Sequence, residues 1–129
     1  MHGRQQYQAA ATTTAGPAQL VLMLYDGALA RLTTAIEALD AEPRDVMGAH
    51  HAIVKAQAIV DELLVSLDHD RGGRIAENLA SLYLYCRELL VEANISKDPA
   101  LLEDVEDVLV PLRDAWDEAN VRGPAQAAG

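Results

Sequence analysis

The sequence predicts an all-α protein, an antiparallel up-down four-helix bundle with a short N-terminal arm that is docked or flexible. Three observations lead there. Apolar residues recur at three- and four-residue spacing along four long stretches. The gaps between stretches are short and hold proline or paired glycine. Alanine is abundant, and the apolar–polar alternation of half-buried strands is nearly absent. At 129 residues the chain makes one domain. A chain of that length buries about two thirds of its unfolded surface, enough for one sizeable core. The expected division is an arm over 1–16, the bundle over 17–120 and a disordered tail over 121–129.

The first helix is expected from Pro17 to Leu39. Gly16-Pro17 opens it, since proline at a first helical position has no hydrogen bond to lose. Gln19 is placed to cap that start. Val21, Leu24, Tyr25, Ala28, Leu32, Ala35, Ile36 and Leu39 share one face, with Met23 pointing away. Gly27 in mid-helix costs about 1 kcal/mol against Ala, so a second helix should approach closely there. The second helix, from about Asp45 to Asp68, carries Val46, Ala49, Ile53, Ala56, Val60, Leu63, Leu64 and Leu67 toward the core. His69 to Gly73 should end it, glycine supplying the positive φ that helix termination often needs.

The third helix, from about Arg74 to Ser96, has Ile75, Leu79, Leu82, Cys86, Leu89, Leu90 and Ala93 as its expected core stripe. Asp98-Pro99 caps and starts the fourth helix. It runs to about Asn120 with Leu101, Val105, Val108, Leu112, Trp116 and Ala119 in register. Pro111 lies inside it, and an interior proline predicts a kink.

Composition and spacing narrow the chemistry. Ten basic and twenty acidic residues give a formal charge of −10, which argues against nucleic acid and anionic membranes as partners. The run Leu20–Leu24 is too short to span a bilayer, so no direct membrane insertion is expected, and no secretory signal is read in the first twenty residues. One cysteine permits no internal disulfide, which suits a reducing compartment. No histidine follows Glu at the Glu-x-x-His spacing of di-iron bundles. His50 and His51 are adjacent and point about 100° apart on a helix, so they cannot chelate together. Asp68-His69-Asp70 reads as a solvated cap. Cys86 lies on an apolar stripe, where a thiol behaves as a small hydrophobe. No nucleophile–base–orienter set and no phosphate loop occur. The expectation is no metal, no cofactor and no enzyme.

What remains is apolar surface beyond the needs of the core. Leu84, Val91 and Ile95 lie within about 40° of one another opposite the third helix's stripe. Met47, Val54, Ala58 and Val65 form a second stripe on the second helix, flanking the first. Such stripes read either as an unusually wide core or as a groove for an amphipathic helical segment of a partner. Tyr83 and Tyr85 flank the third helix's core stripe, as boundary tyrosines or as groove-edge contacts with the hydroxyl outward.

The ordered set of local motifs is itself informative. Tyr7-Gln8, Thr14-Ala15-Gly16-Pro17, Leu22-Met23-Leu24-Tyr25-Asp26-Gly27, Leu67-Asp68, Gly72-Gly73-Arg74-Ile75-Ala76-Glu77-Asn78-Leu79, Leu82-Tyr83-Leu84-Tyr85, Glu92-Ala93-Asn94 and Trp116 follow in sequence. Together they resemble the flagellar export chaperones of the FliS family, from Tyr7 to about Trp116. The family usually has Ser where Gly16 stands, Asn near Ala10 and an aliphatic residue near Thr12. The resemblance implies a cytoplasmic chaperone that holds the C-terminal segment of flagellin before type III export. It implies contact with a component of the flagellar export gate once loaded. Tyr7 falls within the resemblance although it precedes the first helix, so it is expected to act as a latch on the bundle in the empty state. The rival readings are a helical adaptor for another amphipathic client and a carboxylate-rich metal or cofactor bundle enzyme.

Overall fold

The computed structural model describes residues 2–122, with side chains described from 16 to 121. They form α1 (His2–Asp40), α2 (Val46–Ser66), α3 (His69–Ser96) and α4 (Pro99–Arg122), with no strand among the described residues. α1 and α3 each pack against both α2 and α4, so the helices ring one core in chain order. Side-chain pairs make the neighbours antiparallel. His50 meets Asn94 and Asp61 meets Arg87 between α2 and α3; Gln19 meets Asn120 and Asp26 meets Arg113 between α1 and α4. This is the expected up-down four-helix bundle.

The core repeats with a seven-residue period in every helix. α1 turns Val21, Tyr25, Ala28, Leu32, Ala35 and Leu39 inward, and α2 does the same with Ala49, Ile53, Ala56, Val60, Leu63 and Leu67. α3 contributes Leu79, Tyr83, Cys86, Leu90 and Ala93, and α4 contributes Leu102, Val105, Leu109, Leu112 and Trp116. Alternating steps of three and four residues average about 3.5 per turn, the period of left-handed helix bundles.

That period corrects the expected stripe of α3. Ile75 is 71% exposed and Leu82 38%, whereas Ala76 and Tyr83 are buried in their place. Seven residues before Leu90 stands Tyr83, and seven before that Ala76, while Leu82 and Ile75, each one position earlier, face outward. Val46 is likewise exposed.

Several boundaries also move. α1 is interrupted at Gly16 (φ 79°, ψ 163°), one residue before Pro17, which sets residues 2–15 apart from the bundle segment. Asp45 precedes α2 as its cap, accepting the Gly48 N–H at 2.9 Å, and α2 stops at Ser66. The glycine pair does not end α2. Asp68 caps α3 by accepting the Arg71 N–H at 3.1 Å, and Gly73 (φ 50°, ψ −123°) breaks α3 after its first turn. Only glycine tolerates that backbone cheaply. α4 runs through Pro111 and extends to Arg122, two residues past the expected boundary. The rest of the expected tail, residues 123–129, lies outside the described residues.

Gln19 does not cap α1; its side-chain carbonyl accepts from Asn120 of α4. A Cβ on Gly27 would stand 3.4 Å from Ile59 Cδ1, so α2 does approach there, at ordinary contact distance.

Candidate functional site

The Asp61–Arg87 pair (3.3 Å) and the His50 Nδ1–H donated to Asn94 Oδ1 (3.1 Å) mark the α2–α3 seam. Both pairs are at least partly open to solvent, so they align the helices more than they stabilise them. Met47, Val54, Ala58 and Val65 lie exposed along α2 on one side of this seam. Helical angles put them opposite the core of α2 rather than beside it. On the other side, Leu84, Val91 and Ile95 are exposed along α3, at 46%, 47% and 80%. They line an open depression of about 520 Å³ together with Arg87, Glu88 and Glu92. No residue of α2 lines it, so the two stripes are neighbouring ridges and not the walls of one pocket.

The two tyrosines part company. Tyr85 is exposed, but lies about 100° around α3 from the Leu84 stripe, on the flank toward α4. Tyr83 is 1% exposed and belongs to the core, neither a boundary residue nor a groove edge. Its hydroxyl is hydrogen-bonded to that of Tyr25, which crosses the core from α1, with ring centroids 6.3 Å apart. Each hydroxyl is therefore satisfied without water, as burial demands. Burial raises the pKa of both phenols, and raises the Cys86 thiol to about 11. Tyr7 lies outside the residues whose side chains are described.

The sequence reading missed a second surface. A pocket of about 340 Å³ opens at the end of the bundle where α1 resumes after Gly16, α2 passes into α3 and α4 ends. Pro17, Val21, Leu67, Ile75, Leu79 and Trp116 supply its apolar lining, with Asp68 and Arg71 also on its wall. The pocket exists because the break at Gly73 and the seven-residue register leave Ile75 out of the core. That register, carried back from Leu90, is the signal that could have revealed it.

Among the described residues no group of His, Cys, Asp and Glu is arranged to hold a metal. No helix there is long and apolar enough to cross a membrane. What the described residues offer is exposed apolar surface.

Comparison with known proteins gives the family. The FliS profile, described as flagellar protein FliS, matches residues 1–123. The chain belongs to the FliS family. It is 38% identical over 117 residues to the flagellar secretion chaperone FliS of Salmonella typhimurium, covering 90% of this chain and 85% of the relative. It is 38% identical over 121 residues to the flagellar secretion chaperone FliSB of Pseudomonas aeruginosa, covering 91% and 94%. The Bacillus subtilis flagellar secretion chaperone FliS is 34% identical over 113 residues, covering 88% and 82%. These FliS relatives are named as secretion chaperones and not as enzymes. The FliS-family motifs of this chain fall in distinct places: Tyr25 and Tyr83 meet in the core, and Gly72, Ile75 and Trp116 line the end pocket.

Proposed function

We propose that this protein binds the C-terminal segment of flagellin in the cytoplasm, prevents its premature polymerisation and delivers it to the flagellar type III export apparatus. The observation that carries the reading is the exposed apolar stripe Leu84–Val91–Ile95 beside that of Met47, Val54, Ala58 and Val65, on a chain of the FliS family. A segment built to self-associate through helices stays soluble when its apolar face is given a substitute partner. The client orders as it binds, so affinity comes from a long contact rather than one pocket. In the loaded state the complex meets a component of the export gate.

The test is titration of a flagellin C-terminal peptide. Leu84→Asp or Val91→Asp should leave helicity and Tm nearly unchanged and raise Kd by about tenfold or more, the loss of one buried apolar contact. Tyr83→Asp is the unfolding control, because it buries a charge without a partner. Unchanged peptide affinity in both surface variants would remove the stripe from the site.

The N-terminal arm through Gly16 enters the same proposal as a weak latch. Tyr7 docks on the bundle in the empty state, over apolar surface that the client later takes. Support comes from the end pocket, which has Pro17 on its wall, where the arm joins the bundle. The latch energy subtracts from the client's, so Tyr7→Ala should speed amide exchange before Pro17 and leave client affinity equal or higher. Weaker binding by that variant would make Tyr7 a direct client contact instead.

A further inference from the structure

The flank of α3 turned toward α4 carries an exposed row that neither the core nor the Leu84 stripe absorbs. Ile75, Leu82 and Tyr85 are all exposed on it. Pro111 and Ala115 of α4 are exposed as well, and the antiparallel register sets them level with Tyr85 and Leu82. Farther along the same seam, toward the α3–α4 turn, the surface becomes acidic. Glu92 of α3 and Asp104 of α4 are exposed there, with Asp107 on the outer crest of α4 beside them, and none of the three makes an ion pair among the described residues.

We infer that the α3–α4 seam is a second docking surface, and that its occupant is an amphipathic helix of another protein with an apolar stripe at one end and lysine or arginine at the other. From Ile75 to Glu92 the seam is about 25 Å long, which a helix of about seventeen residues spans. Charge decides the kind of occupant. An apolar half continued by unpaired carboxylates matches a helix that is basic at one end. A second copy of this chain is disfavoured, since each carries a formal charge of −10. The apolar row of the seam lies on the other flank of α3 from Leu84, Val91 and Ile95; the surfaces meet only at its ends, where Glu92 borders the Leu84 depression and Ile75 the end pocket.

The experiment uses two synthetic eighteen-residue helical peptides that share a leucine stripe, one ending in four lysines and the other in four glutamates. Each is titrated into the isotopically labelled full-length protein and followed by amide chemical shifts. The lysine peptide should shift Leu82, Tyr85, Asp104 and Ala115 and bind more weakly as salt rises. Tyr85→Asp, or Asp104→Lys with Asp107→Lys, should weaken it by about tenfold, while Leu84→Asp leaves it within about twofold. Circular dichroism of each variant checks that the fold is intact. Shifts centred on Leu84 and Val91, or equal binding of the glutamate peptide, would overturn the inference. So would a dimer of the empty protein that Tyr85→Asp disperses, because the occupant would then be a second copy. A failure here leaves the flagellin reading standing, since that rests on the response to Leu84→Asp.

Discussion

The Tyr25–Tyr83 pair shows how one hydrogen bond ties opposite corners of the bundle. α1 and α3 are not packed neighbours, yet their hydroxyls meet in the core. Removing the Tyr25 hydroxyl strands that of Tyr83, while loss of the Tyr83 hydroxyl leaves Tyr25 only its interaction with Trp116. Tyr25→Phe or Tyr83→Phe should each cost about 1–3 kcal/mol, while the double variant returns close to wild type. Urea unfolding of the four proteins measures this; additive losses would mean the two hydroxyls do not depend on each other. Cys86 makes a prediction in pH. Burial raises its thiol from 9.0 to about 11, so the unfolded chain ionises first. Its contribution is therefore whole below pH 9, falls as pH rises, and is gone once the folded thiol ionises near pH 11. Cys86→Ala should flatten that part of the alkaline stability curve, although the two raised tyrosines keep some slope above pH 10. An unchanged slope between pH 9 and 10 would refute the assignment to Cys86.

At the scale of elements, the loop between α1 and α2 depends on Arg44. Its Nε donates to the Leu39 carbonyl at 3.0 Å and its Nη2 to the Lys97 carbonyl at 2.6 Å. One guanidinium thus serves the C-terminal ends of α1 and α3, where carbonyls lack helical partners and a cation is favoured. Arg44→Ala should lower stability by about 1 kcal/mol, and Arg44→Lys should recover only part, because an ammonium cannot reach both carbonyls in a fixed fork. Full recovery by lysine in thermal melts would reduce the clamp to simple charge. The helices show how far periodicity could be read. α2 was legible because its largest apolar residues sit on the seven-residue register. α3 was not, because Ile75 and Leu82 stand one place before Ala76 and Tyr83, and aliphatic character outweighed spacing. The same slip hid the end pocket. Tyr85 was legible only as a residue flanking the core stripe, and which neighbouring helix it faced depended on the α2–α3 pairs, which no local pattern contains.

For the whole molecule, the bundle topology was legible because short breaks force consecutive helices to pack antiparallel, and the ring then closes α4 onto α1. The stripes Met47–Val65 and Leu84–Ile95 were legible as surplus for the same reason: the core was already supplied. Whether they formed one groove was not legible, since it depends on how far apart the ridges stand. The formal charge of −10 acts on the fold globally. Repulsion among carboxylates opposes compaction, and the surface ion pairs of the fold, such as Arg113 with Asp26 at 2.7 Å, are too exposed to offset it. Raising sodium chloride from low concentration to about 0.3 M should therefore raise Tm, because screening weakens the repulsion at distances beyond about a Debye length. A Tm that falls with salt would show that the surface ion pairs outweigh the net charge.

The chain has no phenylalanine and one tryptophan, and that tryptophan stands on the wall of the end pocket. The molecule thus carries its own optical reporter at the place where the arm joins the bundle. Indole emission moves to the blue as water leaves its surroundings, and selective excitation sets it apart from the four tyrosines. Steady-state emission of the unlabelled protein should shift when anything fills that pocket, whether arm or client, and stay fixed when a ligand settles only on the α2–α3 ridges. Comparing wild type with Tyr7→Ala, and each with and without peptide, would turn a single wavelength into a record of which surface is occupied.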